Sequence, residues 1–335
     1  MSITLDEGRE IFQKNAREEI HKVFVGYDDL ITCIFLCIIS VGLNTTGHML
    51  IIGKTGTGKS RISGLIAPMF GLTYHRMDGN GEPLPSDILG YQDPRTDEIV
   101  KGPIFTNIFH ADELNRFSPR TRAALLAPMA ERLVTIQNDT LTLDPPFVVI
   151  ATENPASYGD AAPLRLQERD RFSLSFFSDW PDEVEQIEIA RINTDSSILN
   201  SKLRKLCTRD QILALQNEIA ERLHIDSSIR QFAVRTVRQL APDFSDIESV
   251  KNRKDIRDTS IVRGANDLLT HSRSFAFLLG DNFVTPEHIR WVAEFALPHR
   301  IDAQDFSRHE RKERIRMALD LASEKMLWQG KVSSA

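Results

Sequence analysis

The sequence predicts an α/β domain built on a parallel sheet, followed by an all-α domain. Three observations predict it. Apolar runs of strand length alternate with helical spacings as far as Trp180-Pro181. From 181 to 325 the spacing is helical throughout. One strand-to-helix junction reads Gly53-Lys54-Thr55-Gly56-Thr57-Gly58-Lys59-Ser60, the G-x-x-x-x-G-K-[ST] pattern of a phosphate-binding loop.

Taken in order, residues 6–22 place Ile11, Phe12, Ala16 and Ile20 at helical spacing among charges, which predicts an amphipathic leading helix. A helix starting at Asp28 contains the uncharged stretch 30–43; its 14 residues fit a buried helix and fall short of the ~20 that cross a bilayer. Strands are expected at 48–52, 72–77, 105–111 and 146–152, with helices at 59–70 and 118–131. Alternation of this kind means a parallel sheet covered on both faces. Between strands two and three, residues 78–102 are rich in Gly, Pro and Asp, with room for one capped helical turn at 84–90. Residues 134–143 alternate like a hairpin centred on Asn138-Asp139. Helices follow at 182–193, 208–223, 227–241, 259–278, 286–296 and 308–325, with Thr285 as N-cap and Pro286 in the first helical position of the fifth. The charged stretch 251–255 reads as an inter-helix loop. The expected domains are an N-terminal helix (1–22), a nucleotide-binding core (23–200), a helical lid (201–310) and a C-terminal helix and tail (311–335).

Composition narrows the function. Among 335 residues, 47 acidic against 41 basic side chains give a net charge of −6, which argues against a bulk nucleic-acid binder. The three cysteines, Cys33, Cys37 and Cys207, form no disulfide framework and suit a reducing cytoplasm. Cys33 and Cys37 share a helix face and read as core packing. The N-terminus lacks the basic-then-apolar order of a signal peptide, so a cytoplasmic location without membrane insertion is expected. No G-x-S-x-G, H-E-x-x-H or Cys/His cluster offers a second catalytic centre.

The phosphate loop assigns the first roles. Gly53, Thr55, Gly56, Thr57 and Gly58 let backbone amides curl around phosphate oxygens, and the helix N-terminus adds its positive end. Lys59 would reach the β- and γ-phosphates, Ser60 would ligate Mg²⁺, and Arg61 belongs to the same nucleotide-binding group. The run Ile108-Phe109-His110-Ala111-Asp112-Glu113 ends a strand in adjacent carboxylates: Asp112 toward Mg²⁺, Glu113 toward the attacking water. Two surface acids after a strand are the alternative. His110 stands where an apolar residue is expected. The apolar run 147–152 leads to Asn154-Pro155, where Asn154 would orient the water; a plain Asn-Pro turn is the alternative.

Together with Leu84-Pro85-Ser86-Asp87-Ile88-Leu89-Gly90, Gly102-Pro103-Ile104-Phe105, Ala111-Asp112-Glu113-Leu114-Asn115-Arg116, Asp170-Arg171-Phe172 and His299-Arg300-Ile301, these runs make the chain resemble the MoxR-type ATPases of the AAA+ superfamily, in the clade with an insertion in the second core helix. The resemblance implies an AAA+ core with an all-α lid, and ATP hydrolysis with Mg²⁺. It implies that Arg171 is an arginine finger entering the neighbouring subunit's site, a role Arg169 could share, and that Arg263 is a sensor arginine on the lid, although Val262 replaces the usual proline. It also implies a homo-oligomeric ring, most often a hexamer, acting on a protein client, commonly one with a von Willebrand factor A domain. No Asn-Lys-x-Asp points to guanine. Two other functions remain open: a nucleic-acid motor or loader, and the ATPase subunit of a metal-chelatase or metalloenzyme-activating complex.

Overall fold

In the computed structural model, the described residues are 3–40, 47–53, 58–154, 162–195, 203–241, 243–247, 260–301 and 307–332. The expected inter-helix loop at 251–255 and the expected boundary near 200 lie outside them.

Five parallel strands form the central sheet: β1 Met49–Gly53, β2 Tyr74–Asp78, β5 Ile108–Asp112, β8 Val148–Glu153 and β9 Leu174–Ser178. Their order is β2-β5-β8-β1-β9. The middle strands are apolar and buried along their length, as a sheet covered on both faces requires. Register brings their C-terminal ends level: Asp78 pairs with Asp112, and Ile52 with Glu153. The cleft at those ends is where an open α/β sheet binds ligands.

The leading helix is three consecutive pieces, α1 Leu5–Glu10, a π-helical turn at Ile11–Asn15 and α2 Ala16–His21. α3 Asp28–Ile39 buries ten of its twelve residues, including Cys33 and Cys37. Helices α4 Lys59–Met69 and α6 Pro119–Glu131 follow β1 and β5. A short α7 Leu166–Arg169 precedes β9. After α8 Glu183–Thr194 the described chain is helical: α9 Arg209–Arg222, α10 Ser227–Gln239, α11 Ile261–Leu279, α12 Pro286–Ala296 and α13 Arg308–Val332. Thr285 caps α12 and Pro286 opens it, as the sequence indicates.

Three features differ from the sequence reading. β9 was not expected as a strand. It spans five residues, and its buried serines hide the apolar signal. Ser175 is paid back by the lid: its Oγ donates to Phe295 O at 3.1 Å and contacts His299 Nδ1 at 2.9 Å. Residues 78–102 hold more order than one turn: a 3₁₀ turn Gly79–Gly81, α5 Pro85–Leu89, and an antiparallel pair β3 Gly90–Gln92 with β4 Ile99–Lys101. Three-residue strands are too short to show alternation. Glycine is required here, because a Cβ at Gly102 would lie 2.3 Å from Ile88 O. In the hairpin, β6 Leu133–Ile136 and β7 Asp139–Thr142 are joined by Gln137-Asn138, with Gln137 at φ 53°, so Asp139 opens a strand rather than sharing the turn.

The core has two parts. One lies against α6 and the hairpin, around Phe109, Leu125 and Val149. The other runs without a break from β1 and β5 through α3 to the helices of α9–α12, joining Ile51, Phe35, Ile212, Phe277 and Val292. The helical half is therefore packed onto the sheet through α3 and directly through α12 on β9.

Candidate functional site

The site lies in a cleft of about 490 Å³ at the C-terminal ends of the strands. Four elements supply its walls. Gly58, Lys59, Ser60 and Arg61 come from the start of α4, Asp112 and Glu113 from the end of β5. Thr152, Glu153 and Asn154 come from the end of β8, and Arg76 from β2. Thr55, Gly56 and Thr57 lie outside the described residues.

Glycine is needed at two positions of the loop. Gly58 has φ +77°, a left-handed conformation, as it turns the chain into α4. At Gly53 a Cβ would sit 2.0 Å from Ser178 Oγ, so β9 can pass only beside a glycine. Lys59 is buried and donates from Nζ to the Gly53 carbonyl. Burial pulls its pKa down to about 8, against the attraction of Asp112 and Glu113.

Asp112 is the hub. Its Oδ1 accepts from Ser60 Oγ at 2.8 Å and from Thr152 Oγ1 at 2.5 Å. Its Oδ2 accepts from Arg76 Nε at 3.0 Å and Nη2 at 2.5 Å. Burial alone would raise its pKa, but the neighbouring His110, Thr152 and Ser60 outweigh it and hold the carboxyl well below the usual carboxylate range. His110, the apparent misfit, is fully buried; its Nδ1 lies 2.5 Å from Ser63 Oγ on α4, and its Nε2 lies 3.5 Å from Asp112 Oδ1. A polar side chain is thus used between β5 and α4, where an apolar one would leave Ser63 without this partner.

Glu113 stands at φ 51°, beyond the strand end. Its amide donates to Thr152 Oγ1 at 2.8 Å, so Thr152 ties both acids to β8. Its Oε2 lies 2.5 Å from Arg116 Nε, an ion pair without hydrogen-bond alignment. Arg116 also donates to Asn80 Oδ1 at 2.7 Å. Asn154 lines the same cleft and is largely buried. Arg61 donates to Asn193 Oδ1 on α8 at 3.2 Å.

The donor set fits a hard divalent cation held partly by nucleotide oxygens: a hydroxyl and an ionised carboxylate 2.8 Å apart, beside a lysine. Among the described residues no group of three or more His, Cys, Asp or Glu could hold a metal alone.

Comparison with known proteins places the chain in a family. Residues 48–174 match the family described as ATPase family associated with various cellular activities (AAA), and residues 258–317 match the AAA lid domain. Protein YeaC of Bacillus subtilis is 30% identical over 291 residues, covering 85% of each chain. Chaperone MoxR1 of Mycobacterium tuberculosis is 28% identical over 288 residues, 84% of this chain and 74% of its own. The crystal structure of a putative ATPase from Cytophaga hutchinsonii superposes with a TM-score of 0.79 at 28% identity, covering 93% of this chain and 96% of that one. The chain belongs to the MoxR-type AAA+ ATPases.

The arginines that the MoxR resemblance singles out are not in the cleft. Arg263, on the first turn of α11, donates from Nη1 to the carbonyl of Asp170 at 3.1 Å and to its carboxylate. The same carboxylate accepts from Arg300 Nε at 3.0 Å. Arg169 donates from Nη2 to Glu153 Oε1 at 3.1 Å, inside its own chain. Arg171 follows α7 in a turn, half-buried between buried Asp170 and Phe172. The structure therefore gathers Lys59, Ser60, Asp112, Glu113 and Asn154, and leaves Arg171 and Arg263 aside. Sequence reasoning missed Arg76, Thr152 and Arg116. Thr152 had a signal in its place one residue before Glu153-Asn154 at a strand end; Arg76 had none, being one charge on an edge strand.

Proposed function

We propose that the protein hydrolyses ATP to ADP and phosphate, with Mg²⁺, and that rings of this chain use the reaction to remodel or activate protein complexes. The observation that carries the reading is the joint hold of Ser60 and Thr152 on Asp112, with Lys59 and Glu113 in the same cleft. Lys59 leaves Gly53 O to meet the β- and γ-phosphates. Ser60 and Asp112 would hold magnesium, which when bound neutralises charge on the transferring phosphoryl oxygens. Glu113 takes a proton from the attacking water, and Asn154 orients that water. Arg171 of one copy completes the site of the next, and Arg263 reports on the γ-phosphate once it leaves Asp170. A hexameric ring and a client with a von Willebrand factor A domain follow from the family resemblance, and the remodelling role also from a relative named a chaperone.

Two variants test the chemistry. Lys59→Ala abolishes nucleotide binding in a fluorescent-nucleotide titration. Glu113→Gln keeps binding within a few-fold and loses turnover by ~10³-fold or more, the scale of a group acting only in the transition state. Wild-type turnover in Glu113→Gln removes Glu113 from the mechanism. Strong stimulation of turnover by DNA would favour a nucleic-acid motor over a protein remodeller.

A further inference from the structure

Asp112, the carboxylate beside Ser60, holds the guanidinium of Arg76 in this structure. Arg76 projects from β2, the edge strand, whose register sets it beside His110 and Asp78 beside Asp112. Both guanidinium contacts, 3.0 Å from Nε and 2.5 Å from Nη2, fall on the same Asp112 oxygen, Oδ2. The other oxygen, Oδ1, already takes the hydroxyls of Ser60 and Thr152. The carboxylate is therefore filled on both sides. A divalent cation, or a water of its shell, needs a carboxylate lone pair on the cleft side, and a guanidinium that donates twice to one oxygen covers it.

Arg76 also has somewhere to go. Its side chain is 48% exposed, whereas that of Asp112 is 9% exposed. Its Nη2 already lies 3.3 Å from Asp78 Oδ2. Asp78 in turn holds the root of the 79–102 segment: its Oδ1 accepts from the amide of Asn80 at 2.8 Å and from its Nδ2 at 2.7 Å.

We propose that Arg76 is a resident cation that holds the magnesium position at Asp112 in the nucleotide-free protein, and that the arriving magnesium–nucleotide pair displaces it onto Asp78. The inference rests on the reading of this cleft as a magnesium–ATP site. Arg76 is a positioning residue. It holds Asp112 Oδ2 in place in the absence of nucleotide, and it sets a threshold that a cation must exceed to enter. Its transfer draws Asp78 Oδ2 toward Arg76, and because the other oxygen of that carboxylate holds Asn80, occupation of the cleft is felt at the turn Gly79–Gly81, where the inserted segment begins. A lone guanidinium on an exposed acid would do none of this. Here the acid is buried and the second acid is within reach.

The test is nucleotide binding, read apart from turnover, in the Glu113→Gln protein. A fluorescent ATP analogue is titrated in millimolar magnesium and in EDTA, and the readout is the ratio of the dissociation constant in EDTA to that in magnesium. Arg76→Gln raises that ratio about tenfold or more, because magnesium no longer competes with a guanidinium. Arg76→Lys, which keeps the charge and loses the paired donors, gives an intermediate ratio. A ratio unchanged within about twofold, or lowered, in Arg76→Gln overturns the proposal. If Glu113→Gln itself binds nucleotide in neither condition, the reading of the cleft as an ATP site fails instead, so the two failures are distinguishable. A second measurement needs no change at Arg76: amide exchange in the Glu113→Gln protein. Exchange at Asn80 quickens with magnesium and ATP together and stays as in the free protein with ATP in EDTA. Equal exchange at Asn80 in both conditions rules out the transfer to Asp78.

Discussion

The acidic cleft and the arginine cluster outside it are built on opposite plans. At the acidic end, Ser60, Asp112, Thr152 and Glu113 are joined by hydrogen bonds of 2.5–2.8 Å across three elements of one chain. At the arginine end, the charged groups satisfy one another away from the cleft: Arg263 and Arg300 on Asp170, Arg300 also on Asp267, Arg169 on Glu153. The first end is pre-organised, so little reorganisation is needed when charge develops there. The second is committed to internal partners and contributes only after those contacts are exchanged or when a neighbouring copy supplies the charge. On the function proposed above, a single chain holds the groups for the cation and the water together and keeps the phosphate-sensing arginines on other partners.

The strongest way to break this contrast is to ask whether the missing charge comes from another copy. Arg171→Ala is expected to lower turnover by ~10³-fold, the range seen when an arginine finger is removed. Mixing it with Glu113→Gln protein, itself inactive, restores measurable turnover, because some interfaces then pair an intact Glu113 with an intact Arg171. Mixtures as inactive as their components would place Arg171 in its own chain's structure and leave the arginine end incomplete for another reason.

A smaller effect is expected at Arg263. Its Asp170 contacts must be given up before it can touch a nucleotide, so part of its interaction is spent in the exchange. Arg263→Ala should reduce turnover ~10²-fold, the lower end of what one charged donor to a transition state contributes. The binding constant for ADP should stay within a few-fold, since ADP lacks the γ-phosphate. Equal losses for ADP and ATP affinity would show instead that Arg263 acts by holding the lid, through Asp170, in its folded position.

The same contrast explains what was legible. The acidic end was readable because its residues are contiguous in sequence: Gly58-Lys59-Ser60 opens a helix, and Asp112-Glu113 and Asn154 close strands. The sheet was readable from its apolar middle strands, and the helical half from its 3.6-residue spacing. β9 was not, since Ser175 and Ser178 are buried against partners more than a hundred residues away in sequence or across the sheet, which no local pattern announces. The pairing of Asp170 with Arg263 and Arg300 spans 93 and 130 residues. Arginine identity was visible, but its occupation in the folded chain was not. Arg76 belongs to the same class: its importance comes from register, which sets β2 against β5.

The finest test concerns Asp267, the buried acid at the arginine end. It lies one turn after Arg263 on α11, fully buried, and its Oδ2 accepts from Arg300 Nη2. Burial raises its pKa to about 6, against the opposing attraction of Arg300. Asp170, on the far side of Arg300, Arg263 and the Cys37 thiol also act on its charge, and His271 and His299 share its neighbour Arg300. Burial lowers the pKa of both histidines, His271 to about 3, so they stay neutral where Asp267 titrates. The sign follows from proton counting. Between the unfolded carboxylate value near 4 and about 6, the folded chain holds a proton that the unfolded chain has released. Raising the pH across that window therefore favours unfolding, by ~2–3 kcal/mol from this group. Asp267→Asn, which cannot ionise, lacks that slope. Urea denaturation of wild type and Asp267→Asn at pH values across the window should show the wild type losing stability relative to the variant as pH rises, with the difference constant above about 6. Stability differences that stay level from one end of the window to the other would mean that Arg300 keeps Asp267 ionised throughout. The arginine end would then be a fixed ion-pair network with no proton held in reserve.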